Sequence, residues 1–231
     1  LYALDREAML ESIRFGYGEV AVGTMPVLSW AYNPDGIEET YDYDPEMANQ
    51  LLDEAGWEMN DDGIRERDGE TLSFDMYTNT GNTVREQYLT IMQEYWREIG
   101  VEMTPQLEPF PALVERITET FDYEVVLIGF SWSATPGQEA MWACDSYPAG
   151  FNLVRYCNED LDEIMVEAAG EVDQDRRIEL YTEMQNVLME DLPMAVLDFP
   201  EGIAGVNQRV HNLFPNDPNL RFNTETWWVE S

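Results

Sequence analysis

The sequence predicts an α/β fold, a mixed β-sheet flanked by helices. Three observations carry that prediction. Runs with a helical apolar repeat alternate with shorter extended runs along most of the chain. One helix is marked at both ends, with Asp44 as N-cap, Pro45 at the first helical position and Gly56 as the stop. The run "YEVVLIGFSW" is continuously apolar and reads as a buried strand.

The elements follow in order. "YALDREAMLESIRFGYG" reads as a helix, with Leu4, Ala8 and Ile13 near helical spacing and Gly16 and Gly18 at its end. "GTMPVLSWAYNPDG" reads as an extended, turn-rich loop. In the helix that starts at Pro45, the residues Ala48, Leu51, Leu52 and Ala55 fall on one face. "NDDGIRERDGETLSFDMYTN" carries two Asp-Gly turns around short alternating runs, hence a hairpin leading into a strand over 71–77. "TVREQYLTIMQEYWREIG" is a helix stopped by Gly100, "VEMTPQLEPF" is extended, and "FPALVERITETF" is a short helix. Two further helices, "NEDLDEIMVEAAG" and "DQDRRIELYTEMQNVLMEDL", precede a last strand, "PMAVLDF". The tail beyond Pro200 reads as irregular, and its Trp227 and Trp228 call for something to pack on.

Composition narrows the function. The 231 residues are 44% hydrophobic, enough to fill a core and to argue against disorder. No apolar run reaches the length of a membrane span. The opening on Leu1, in mid-pattern, reads as a mature piece or a fragment, with any targeting segment lying outside it. Twelve basic residues, all Arg, stand against 47 acidic ones, a formal net charge of −35. Such a surface repels nucleic acid and anionic membrane, and both are excluded as partners. Its self-repulsion is relieved by dissolved salt, so the composition points to a salt-rich habitat, with an ordinary acidic secreted protein as the alternative.

Catalytic signatures are missing. His211 is the only His, no Gly-x-Ser-x-Gly elbow surrounds any Ser, and no Gly-rich phosphate loop precedes a helix. One His and two Cys match no zinc site, and the acidic stretches near Asp35 and Asp61 do not keep EF-hand spacing. No cofactor or metal is expected. Paired carboxylates for hydrolysis are not excluded by count, since 47 acids make chance pairs certain. The two cysteines, Cys144 and Cys157, bracket a loop containing Pro148, Gly150 and Asn152. A disulfide closing such a loop contributes about 3 kcal/mol in the chain-entropy model and implies an oxidising compartment. Free thiols in a cytosolic protein are the alternative.

Several of these segments, taken in order, resemble the family 5 extracellular solute-binding proteins of ABC importers, which take up dipeptides, oligopeptides or nickel. "YALDREAML" is similar to the helix that opens their C-terminal lobe. "GTMPVLSWAYN", "YDYDPEMANQLLDEAGW", "DGIRERDGETLSFDMYTNTGN", "IMQEYWREIGVEM" and "FDYEVVLIGFSW" follow in the family's order, and the segment from "FNLVRYCNEDLDEI" to "MEDLPMAVL" closes the match. A short disulfide loop ahead of "RYCNEDLDEI" also resembles one found in some members.

The resemblance implies a lobe of the periplasmic-binding-protein type II kind, spanning residues 1–200, in a clamp whose N-terminal lobe lies outside this sequence. Residues 201–231 then form a return segment toward the hinge and that lobe. It further implies an extracellular or periplasmic protein, membrane-tethered through a segment absent here, that hands a small solute to an ABC permease.

In peptide-binding members an Asp after the buried strand grips the ligand's α-ammonium. Here Ser133 stands there, and Thr135-Pro136 replaces Asp-Pro. Dipeptide binders also place an Arg after the first strand for the ligand carboxylate. Here that place holds Asn79, with no Arg before Arg85. The expected ligand contacts are Trp132, Ser133, Tyr77, Asn79, Phe130, Trp142, Trp30 and Tyr32, an aromatic and neutral set. It suits an oligopeptide held through its backbone, or an oligosaccharide. A secreted hydrolase using paired carboxylates is the rival from another class.

Overall fold

The structure, a computed structural model, describes residues 1–132, 135–213 and 224–230. Its helices are α1 (Arg6–Arg14), α2 (Pro45–Glu54), α3 (Thr83–Glu98), α4 (Phe110–Glu115, continued by a π turn to Thr120), α5 (Glu139–Trp142), α6 (Glu159–Gly170) and α7 (Gln174–Asp191). The strands are β1 (Gly18–Val20), β2 (Glu58–Met59), β3 (Arg65–Arg67), β4 (Glu70–Thr71), β5 (Ser73–Asn79), β6 (Glu102–Glu108), β7 (Val125–Val126), β8 (Asp198–Pro200), β9 (Val210–His211) and β10 (Trp228–Val229).

The centre is a parallel sheet in the order β6-β5-β7, with Tyr77 opposite both Gln106 and Val126. The period of two along a strand sends alternate side chains to opposite faces. Phe74, Met76, Val125 and Leu127 pack against Tyr88, Leu89 and Met92 of α3. Tyr77, Val126 and Ile128 pack against Leu113 and Ile117 on the other side. Helices α6 and α7 build a second core through Leu161, Met165, Leu180 and Met184, closed over by Met25 and Ala31 of the early loop.

Local signals translate directly. Asp44 accepts a hydrogen bond from the Met47 N–H and Asn82 accepts one from the Arg85 N–H, so both helices are capped as their sequences require. Asp68 and Gly69 both take positive φ in the two-residue turn between β3 and β4. Cys144 and Cys157 are joined by a disulfide, with Cα atoms 4.5 Å apart, between the end of α5 and the start of α6. Within that loop the Asn152 amide donates to the Ala143 and Tyr156 carbonyls.

Five expectations change. In α1 the buried residues are Arg6, Met9 and Ile13, whereas Ala8 is exposed. In α2 only Ala48 is buried, and Leu51 is 46% exposed, because the helix lies on the surface of a small satellite cluster. The strand read over "YEVVLIGFSW" is regular only at β7 and only half-buried, since among the described residues it pairs with β5 alone and its residues line a cavity. "PMAVLDF" forms a strand only at its end, where β8 runs antiparallel to β1, while Pro193, Met194, Ala195 and Leu197 line that same cavity. The tail is also less irregular than expected: β9 pairs with β10, and His211 stacks on Trp228 with ring centres 4.1 Å apart.

Candidate functional site

Chain order runs β5, β6, β7, but spatial order is β6-β5-β7. The connections therefore diverge at the β5–β7 edge. In open parallel sheets a crevice forms outside the carboxyl ends of strands at such a point, and ligands bind there. Asn79 ends β5, and the chain beyond Leu127 leaves the sheet through Gly129, Phe130 and Trp132. Leu127 is the hinge of that exit: its N–H donates to the Tyr77 carbonyl at 2.8 Å, and its carbonyl accepts from the Thr78 hydroxyl at 2.8 Å.

A cavity of about 180 Å³ occupies this place. Phe130 and Trp132 form its aromatic side, Met194 to Pro200 its opposite wall, and Arg14, Arg85 and Tyr88 its polar end. It shares Leu127, Ile128, Phe130, Met194, Ala195 and Leu197 with a second, largely apolar cavity of about 320 Å³ that lies between β7 and the 193–197 segment.

The polar end is arranged in two parts. Asp198, its side chain 7% exposed, accepts hydrogen bonds from Arg14 Nε at 3.0 Å and from the Tyr88 hydroxyl. Burial first, then the Asp198 carboxylate, push the Tyr88 phenol well above its ordinary pKa. Asp198 is thus neutralised locally. Arg85 is not: its Nη1 donates to Asn79 Oδ1 at 2.6 Å, a neutral partner. A Cβ built on Gly129 would lie 3.2 Å from Arg85 Nη2, so the guanidinium sits close against that backbone. Burial, and then the Arg14 charge, lower the Arg85 pKa.

The expected contacts separate into groups. Phe130 and Trp132, with ring centres 6.3 Å apart, and Asn79 with its bonded Arg85 come together around the crevice. Trp30 and Tyr32 pack on the α6–α7 core alongside them, where Arg177 covers the Trp30 ring at 4.7 Å. Tyr77 turns to α4 instead and lies under the Arg116 guanidinium at 4.3 Å. Trp142 packs in the core, 1% exposed, where it lines the larger apolar cavity and its indole N–H donates to Gln138 Oε1 at 2.7 Å. Ser133 lies outside the described residues. The sequence reading missed the cation. The available signal was the position of Arg85 in the first turn of α3, because helical side chains lean back toward the helix N-terminus and hence toward the end of β5.

Among the described residues no group of three His, Cys, Asp or Glu is placed to hold a metal, and no helix is long and apolar enough to cross a membrane.

Comparison with known proteins places this geometry. The profile of the bacterial extracellular solute-binding proteins, family 5 middle, matches residues 1–152. The oligopeptide-binding protein AppA of Bacillus subtilis is 32% identical over 98% of this chain, which spans 42% of that relative's length. The solved structure of B. subtilis AppA with a nonapeptide superposes with a TM-score of 0.87, covering 100% of this chain and 46% of the other. NikZ of Campylobacter jejuni, solved with Ni(L-His), shares the fold at a TM-score of 0.85 and 23% identity, over 98% of this chain and 46% of its own. With a profile covering most of its length and a relative matched nearly end to end, the chain belongs to the family 5 extracellular solute-binding proteins.

Proposed function

We propose that this chain is the second lobe of an ABC-importer binding protein whose cargo is an oligopeptide. The observation that carries the reading is the crevice at the carboxyl ends of β5 and β7, walled by Phe130 and Trp132 and closed by Asn79 and Arg85. The nonapeptide bound by the AppA relative supports the cargo class. The mechanism is conformational. A solute that touches both this crevice and an N-terminal lobe binds the closed clamp better than the open one, and so shifts the population toward it. The closed form is the one a permease recognises. No bond is made or broken, which separates this reading from a carboxylate-pair hydrolase.

In this proposal residues 1–200 form the lobe and 201–231 run toward the hinge. The protein works outside the cytoplasm, where the Cys144–Cys157 disulfide persists, and is tethered to the membrane through a segment beyond this sequence. The test is equilibrium capture of a randomised nonapeptide library by the complete protein. Saturable retention of peptides, recovered intact, is expected. Peptides recovered cleaved, or none retained, contradict the reading.

The charge of −35 belongs to the same proposal as an adaptation to salt. Screening shortens the reach of like-charge repulsion from about 30 Å at 0.01 M to about 3 Å at 1 M salt. The midpoint of thermal unfolding is expected to rise between those two concentrations. An unchanged midpoint removes the salt-adapted reading.

A further inference from the structure

We infer that Thr78 is a positioning residue for the cargo: its buried hydroxyl sets the direction in which the aromatic wall of Phe130 and Trp132 leaves the sheet. The inference rests on the peptide reading above and deepens it.

Thr78 is the last residue but one of β5 and is 0% exposed. The period of two places it on the same face as Met76, which packs on Tyr88, Leu89 and Met92 of α3. Packing at such a position asks for Val or Ile, β-branched and apolar. A hydroxyl there is unfavourable unless it is bonded. The ladder of β5 does not need it, since the strand is paired with β6 up to Asn79 and with β7 up to the Tyr77–Val126 pair. The hydroxyl reaches instead past the end of β7, and donates to the Leu127 carbonyl at 2.8 Å.

That carbonyl is the point at which the wall can be steered. The Leu127 N–H makes the last rung of the ladder, to the Tyr77 carbonyl. Among the described residues, residues 128–132 make no backbone–backbone hydrogen bond. The Leu127 carbonyl lies in the plane of the next peptide unit, so the bond from Thr78 fixes that plane and the heading of the chain beyond it. A small rotation there is carried through the following residues to the rings of Phe130 and Trp132, which face Met194 to Pro200 across the crevice. Groups that meet a ligand act well only when their supports hold them within about 0.5 Å. With the hydroxyl removed, the cargo itself has to order the wall, and the ordering is subtracted from the affinity.

The test uses the complete protein and a nonapeptide retained from the randomised library. Thr78→Val keeps the shape of the side chain and removes the hydroxyl. Its affinity for the peptide is expected to fall about 3- to 10-fold, the net contribution of one neutral hydrogen bond, chiefly through faster release. Thr78→Ser keeps the hydroxyl and loses a methyl group. It is expected to melt earlier than the wild type, yet to bind the peptide within about twofold of it. In a Trp132→Ala background, Thr78→Val is expected to change the affinity by less than about twofold, because the ring it positions is gone. A merely structural hydroxyl gives other results. Affinity then follows melting temperature, so that Thr78→Ser binds as poorly as Thr78→Val, or the Thr78→Val loss is the same with and without Trp132. Either result overturns the inference, and so does wild-type affinity in Thr78→Val. Each of these results requires that the wild type binds the peptide, so the cargo reading stands through all of them. A wild type that retains no library peptide removes both.

Discussion

Arg6→Ala is expected to destabilise the protein by about 3–5 kcal/mol, the upper range for breaking a buried hydrogen-bond network. Arg6 is 7% exposed and lies on the inner face of α1. Its guanidinium donates to the Ala21 carbonyl at 2.7 Å and to Val196 at 3.3 Å through Nη1, and to Thr40 at 2.7 Å and Tyr41 at 3.0 Å through Nη2. Three chain segments, at Ala21, Thr40–Tyr41 and Val196, meet on one side chain. Truncation leaves four carbonyls without this donor, that of Ala21 buried and the other three partly buried, and their desolvation is no longer offset. Arg6→Lys does not rescue, because an ammonium is a point charge with three donors and cannot span the same fork. Urea unfolding of both variants checks this. A loss below about 1 kcal/mol for Arg6→Ala would mean that the carbonyls find water or other donors, and that Arg6 is not the clasp described.

The second large effect belongs to Trp142. Trp142→Ala is expected to cost about 3–5 kcal/mol, the range for deleting a buried large aromatic. The side chain is 1% exposed, meets Tyr156 edge-on at 6.4 Å, and donates to Gln138, whose own amide donates to the Thr24 carbonyl. The substitution opens a cavity and breaks a short buried relay between α5 and the early loop. Denaturant titration gives the loss of stability. A variant that keeps its stability yet loses ligand affinity would return Trp142 to the cleft.

Trp142 also marks where sequence reading stops. Caps and turns were legible because their causes are local. Asp44 with Pro45 and the Asp68-Gly69 pair each act within a few residues. The family order of segments gave the fold class, helices around a sheet. Burial depth was not legible. Leu51 and Trp142 have the same apolar character, but one lies on a surface helix and the other in the core, and only long-range packing separates them. The half-burial of β7 depends on what flanks its open edge, which the apolar run does not encode. The polar end of the crevice was hidden for the same reason. Tyr88 meets Asp198 across 110 positions of sequence. The expected site was aromatic and neutral because it was assembled from strand ends and their loops. The cation arrives from the next helix, by a side chain leaning back six residues toward Asn79.

The most direct measurement is mass spectrometry of small molecules released on denaturing the complete protein, purified at high salt from its own source. Co-purifying oligopeptides are the expected result. Oligosaccharides in place of peptides would contradict it, and would mean that the aromatic wall of Phe130 and Trp132 selects a sugar.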